Sequence, residues 1–198
     1  MRSEKASIIH DVCSFLSEEN VAAARQTAER YSFDLRNRVK RKFNPHESVR
    51  IFNRDGFIDR YTGSKLVFPG TLQVLGIVLP EHFPWHPHGN LTKSHIVHWE
   101  LYPTVDHIFP ISRGGPDVDS NWATTSMLAN QAKLHWTLDE LGWTLHEPGD
   151  LHNWDGLTDW FFSVCRTTPG CTFTARHQKM VSGCKFSAWC CLTLQCTN

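Results

Sequence analysis

The sequence predicts an α+β fold, built on a strand–loop–strand–helix unit set among additional short helices. Three observations carry that expectation. Residues 100–108 and 122–125 are β-favouring runs. Pro110, Gly114, Gly115 and Pro116 fall between them and mark a loop. Ser126 then stands where an N-cap belongs, ahead of a helix that carries Asn130 and Lys133.

The elements before this unit read as helical. Ser3 is placed to cap a short helix with Ile8, Ile9, Val12, Phe15 and Leu16 on one side. Ser17 is expected to cap a longer helix over 17–43, with Val21, Ala24, Ala28, Tyr31, Leu35 and Val39 at helical spacing. Its first turn holds Glu18 and Glu19 and its last turn Lys40, Arg41 and Lys42, as the helix dipole favours. Asn44, Pro45 and Glu47 form a strong start signal for the next helix, which runs through Val49, Ile51 and Phe52 to Gly56. Residues 57–68 read as two β-prone pieces about a turn at Thr62-Gly63. Residues 71–79 read as a buried helix ended by Pro80.

Beyond the central unit, Thr137 and Glu140 have the spacing of a capping box, and Gly142 ends that short helix. Trp136, Leu141 and Trp143 are expected to pack it on the core, and Pro148-Gly149 to turn the chain. Asn153 is expected to cap a last helix with Trp154, Leu157, Trp160, Phe161 and Val164 on one face. The organisation is then a helical arm (1–44), a main domain (45–164) and a Cys-rich tail (165–198) that reads as poorly ordered.

A chain of 198 residues with 40% apolar content and eight tryptophans can bury a substantial core in one domain. Lysine plus arginine equals aspartate plus glutamate at 20 each, so the chain as a whole is no polycation. The distribution is uneven: bases outnumber acids over 36–65, and 100–159 leans acidic. No apolar run has the length of a membrane span, and the N-terminal residues lack the apolar centre of a signal peptide. A cytoplasmic protein with no membrane partner is expected.

The first predicted strand ends on Asp106 and His107, with Asn121 and Asn130 following on the same unit. That set suits phosphodiester hydrolysis. A carboxylate and an amide oxygen are hard donors for Mg²⁺, which keeps most of its waters. An imidazole beside the ion can take a proton from the attacking water. On charge alone Arg36, Arg38, Lys40, Arg41 and Lys42 read equally as a solvated helix end or a phosphate-gripping arm, and Arg54, Arg60, Arg113 and Lys133 offer further phosphate contacts.

Asp106-His107-Ile108, Pro110, Arg113-Gly114-Gly115, Asn121, Asn130 and Lys133 together resemble the HNH endonuclease family, with its ββα-metal fold. The core likeness covers about a fifth of the chain, and a looser one extends back to Arg54-Asp55-Gly56. The resemblance implies His107 as general base, Asn121 as the residue that holds the His107 loop or ring, and Asp106 and Asn130 as ligands of Mg²⁺ or Mn²⁺. Asn130 stands where many members carry a last histidine. The implied partner is double-stranded DNA, and cutting both strands with one site per chain favours a homodimer.

Many members also carry a zinc knuckle. Its four positions fall here on Asp59, Thr62, Ser126 and Ala129, none a cysteine, so no structural zinc is expected in the main domain. Aromatic packing by Phe57, Tyr61, Phe68 and Trp122 is expected to replace it. His82, His86, His88, His95 and His98 crowd a proline-broken stretch that reads as a groove-shaping loop ahead of a metal site. In the tail Cys165 and Cys171 share a spacing with Cys184 and Cys190, which is unusual for zinc. Two functions compete with the endonuclease: an inactive nucleic-acid-binding module on the same fold, and a zinc-stabilised structural protein.

Overall fold

The computed structural model describes residues 2–31, 44–86, 90 and 92–167. They fall into two units, one within Met1–Asn37 and one within Arg38–Asn198. The arm residues Arg36, Arg38, Lys40, Arg41 and Lys42, His88, and the tail beyond Thr167 lie outside the described residues.

The first unit is a helical hairpin, α1 (Arg2–Ser17) and α2 (Val21–Glu29). The cap of α2 is Asn20, whose side chain accepts from Ala23 N–H at 3.1 Å. The sequence points to Ser17 in that role, but its hydroxyl donates back to the Cys13 carbonyl at 3.0 Å and closes α1 instead. The chain reverses at Glu19, in the left-handed region at φ 57°. The helix expected over 17–43 is α2, which begins at Val21 and ends at Glu29; residues 32–43 lie outside the described residues.

In the second unit α3 (Pro45–Arg54) begins as its caps dictate, with the Asn44 side chain accepting from Glu47 N–H at 3.1 Å. Its buried residues Ile51 and Phe52 join Phe57, Phe68, Val74, Val105, Trp122 and Phe161 in the main core. Burying each such side chain contributes roughly 1.5–3 kcal/mol. The chain leaves α3 through Gly56, at φ 60°, where a Cβ would strike the Gly149 backbone. Residues 57–68 then form the expected pair of extended pieces, bridged once at Ile58 and Lys65. Next come α4 (Pro69–Val78) and a single helical turn, α5 (Val97–Glu100).

The central sheet is one antiparallel pair, β1 (Pro103–His107) and β2 (Trp122–Ser126), in the register Val105–Thr124, Asp106–Ala123, His107–Trp122. The strand expected from residue 100 starts at Pro103 because Glu100 belongs to α5. α5 buries His98 at 2% exposure, its ring steeply inclined to that of Trp85 with centroids 4.9 Å apart. Every residue of β2 is buried, because α3 and α6 (Met127–Lys133) both pack on the ribbon. Ser126 caps α6, accepting from Ala129 N–H at 3.0 Å.

The short helix α7 (Leu138–Leu141) has the full capping box between Thr137 and Glu140 and ends at Gly142. Residues 143–150 have no regular structure, and Pro148-Gly149 forms no defined turn. That stretch is tied down by His146 N–H to the Arg60 carbonyl at 2.8 Å and Gly149 N–H to the Asp55 carbonyl at 3.0 Å. The last helix, α8 (Thr158–Thr167), starts later than Asn153 predicts. Asp155 takes the capping role, accepting from Leu157 N–H, Asp159 N–H and the Thr158 hydroxyl at 2.8–2.9 Å. Phe161 is buried, but Trp160 and Leu157 face out, which narrows the expected apolar face.

Candidate functional site

The site residues sit on β1, on the loop to β2 and on α6. Successive side chains of a strand point to opposite faces. Asp106 therefore turns toward Tyr61 and Lys133, and His107 toward Trp122 and Asp117. The Asp106 carboxylate takes the Tyr61 hydroxyl on Oδ2 at 2.9 Å and the Lys133 ammonium on the same oxygen at 2.8 Å. Lys133 also donates to the His107 carbonyl at 2.8 Å and lies over the Tyr61 ring at 5.5 Å from its centre. Burial, then the Asp106 charge, pushes the Tyr61 phenol far up, so Tyr61 acts as a neutral donor.

Asn130 lies three residues before Lys133 and shares its helix face. Its Nδ2 donates to the Thr104 hydroxyl at 3.0 Å. Thr104 and Asp106 are two apart on β1 and share a face of the ribbon. Asp106 and Asn130 thus each bond across β1 and α6, Asp106 to Lys133 and Asn130 to Thr104.

Asn121 ties the loop shut. Its Oδ1 accepts from Phe109 N–H at 2.8 Å, and its Nδ2 donates to the Phe109 and Pro116 carbonyls, each at 2.9 Å. Gly114 turns at φ 90°, and a Cβ on Gly115 would collide with the Phe109 carbonyl oxygen. This closure brings Asp117 Oδ1 to 2.8 Å from His107 Nε2, with both side chains 4% exposed. Trp122 Nε1–H adds a bond to the same Asp117 oxygen at 2.9 Å.

The four cationic side chains expected on phosphates are engaged internally. Lys133 is fully buried on Asp106. Arg54 holds Asp55, Asp119 and the Trp122 carbonyl, and Arg60 holds Asp55 and the His146 carbonyl. Arg113 pairs with Glu140. Their partners show the effect: Arg50 and Arg54 hold the Asp119 carboxyl below the usual range, and the Thr137 backbone bond, with Arg113, does so for Glu140. These arginines, and above all Lys133, therefore build the unit that carries the site.

At the knuckle positions a buried carboxylate, rather than aromatic packing alone, joins the turn to α6. Asp59 accepts from Tyr61 N–H at 2.9 Å, the Thr125 hydroxyl at 3.0 Å and Ser126 N–H at 2.9 Å. Three donors offset the cost of burying its charge. Phe57, Phe68 and Trp122 belong to the main core instead.

His98 is a packing residue whose pKa burial holds down. Among the described residues no group of three or more His, Cys, Asp or Glu is placed to hold an ion. Sequence reasoning missed Asp117 and the site role of Tyr61. The only signal for Asp117 was an acid just past the Gly-Gly-Pro turn.

No family model matches the chain, and neither a curated protein nor a solved structure matches it. No helix among the described residues is long and apolar enough to cross a membrane.

Proposed function

We propose that the chain is a metal-dependent endonuclease of the HNH type that hydrolyses phosphodiester bonds in double-stranded DNA. The observation that carries this reading is one β1–β2–α6 unit in which Asn121 closes the loop after His107 while Asp106 and Asn130 each bond between β1 and α6. The donor chemistry fits a hard ion. Oδ2 of Asp106 is taken by Tyr61 and Lys133, which leaves Oδ1, and Asn130 Nδ2 is held by Thr104, which leaves its amide oxygen. One carboxylate and one amide oxygen suit Mg²⁺ or Mn²⁺ and not zinc. When bound, the ion supplies charge neutralisation at the phosphate and the leaving oxygen.

In this reading His107 takes the proton from the attacking water. His107 is 3% exposed and its ring is turned to the face of β1 opposite Asp106, so turnover requires the 109–121 loop to admit that water and bring the ring to the ion's side. Asn121 holds the loop, and Lys133 and Tyr61 orient Asp106. The same enclosure of His107 favours a second reading, a nucleic-acid-binding module without turnover.

Supercoiled-plasmid cleavage with Mg²⁺, Mn²⁺ or EDTA separates the two. Wild type is expected to cut with either ion and to stop with EDTA, and His107→Ala to lose about 10²–10⁴-fold in kcat with DNA affinity kept. Wild type that binds DNA but never cuts it supports the binding module.

A further inference from the structure

His107 and Asp117 form a sheltered pair, Nε2 to Oδ1 at 2.8 Å, each side chain 4% exposed. Trp122 Nε1 lies 2.9 Å from that oxygen and 3.1 Å from the imidazole nitrogen. The position of one proton follows. Unprotonated, Nε2 could accept the Trp122 Nε1–H at 3.1 Å, but its lone pair would still face a carboxylate oxygen at 2.8 Å, and those two would repel strongly away from water. With a hydrogen on Nε2, Oδ1 accepts from both His107 and Trp122, and the buried charge is compensated. A neutral imidazole protonated at Nε2 carries its basic lone pair on Nδ1.

We propose that Asp117 is a positioning residue for His107, holding Nε2 protonated so that Nδ1 takes the proton of the attacking water. This rests on the nuclease reading above. As the water oxygen bonds to phosphorus, its proton passes to Nδ1. The bond from phosphorus to the leaving oxygen breaks, and that oxygen takes a proton from solvent. The imidazolium left behind keeps its Nε2–H bond to the Asp117 carboxylate, which stabilises the positive charge.

The test uses full-length wild type, Asp117→Asn and Asp117→Ala. The tautomer of His107 is read from its ring ¹⁵N shifts at one pH where the ring is neutral, without turnover. Wild type is expected as the Nε2–H form and Asp117→Ala as a mixture. With plasmid and Mg²⁺, kcat should fall in the order wild type, Asn, Ala, reaching about 10²–10⁴-fold in Ala, while KM stays within about twofold. Asn keeps an oxygen for both donors and loses only the charge, so its smaller loss is the conservative rescue. An Nδ1–H wild type, or variants with wild-type kcat, overturns the role of Asp117. Wild type that shows the Nε2–H form yet cuts no DNA overturns the nuclease reading and the positioning role with it.

Discussion

Lys133 shows how one side chain can serve both stability and the site. Its ammonium is 0% exposed and neutralises Asp106, itself 10% exposed. Lys133→Met leaves an uncompensated buried carboxylate and is expected to cost about 3–5 kcal/mol. Chemical denaturation measures this as a lower midpoint at constant slope. Adding Asp106→Asn should recover part of the loss, because the stranded charge is then gone; full additivity of the two losses would rule out the pair. Asp106→Ala and Asn130→Ala each test the ion site. Both are expected to weaken Mg²⁺ or Mn²⁺ binding in calorimetry, and unchanged affinity in both removes the assignment.

At the scale of elements, α8 depends on Asp155. Burial raises the Asp155 pKa, but the bonds from Asp159 N–H, Thr158 and Leu157 N–H outweigh it and bring it below the usual value. The folded pKa is depressed, so the stabilisation is present above the unfolded carboxylate pKa of about 3.9 and disappears as pH falls through the folded value. Asp155→Asn is expected to lower stability at neutral pH and to flatten its fall below about pH 4. Thermal melts from pH 3 to 7 read both effects, and parallel curves for the two proteins would contradict them. The loop between β1 and β2 works on the same principle, with Asn121 satisfying backbone groups that the turn leaves over.

For the whole molecule, the question is where phosphate is gripped. Arg54, Arg60, Arg113 and Lys133 hold internal partners, so the nuclease reading shifts duplex binding toward Arg36, Arg38, Lys40, Arg41 and Lys42. Neutralising three of the five in a His107→Ala background is expected to weaken DNA binding alike across sequences. It should also reduce the slope of log K against log salt by about 0.9 for each phosphate no longer neutralised. Affinity measured at several salt concentrations checks this; wild-type affinity and slope make the arm a plain helix end. Arg60→Ala should instead lower stability, since it removes a partner of the buried Asp55.

Much of this fold was legible in sequence where the determinant is local. The caps at Asn44, Ser126 and Thr137, the capping-box glutamate and the stop at Gly142 each act across a few residues, and each stands where local chemistry puts it. Residues 122–126 form the second strand for the same reason. Competing caps were harder. Asn20 displaced Ser17, and Asp155 displaced Asn153, because each choice depends on where the preceding chain stops. The site divided in the same way. Asp106, His107, Asn121 and Asn130 stood out by residue type and spacing. That Asp117 would reach His107, that Asp59 would bridge a turn to α6, and that Lys133 would bury itself on Asp106 were decided only in three dimensions. Those bonds join residues 10, 67 and 27 positions apart (117−107, 126−59, 133−106), and buried charges accept whichever partners the closed core brings within reach.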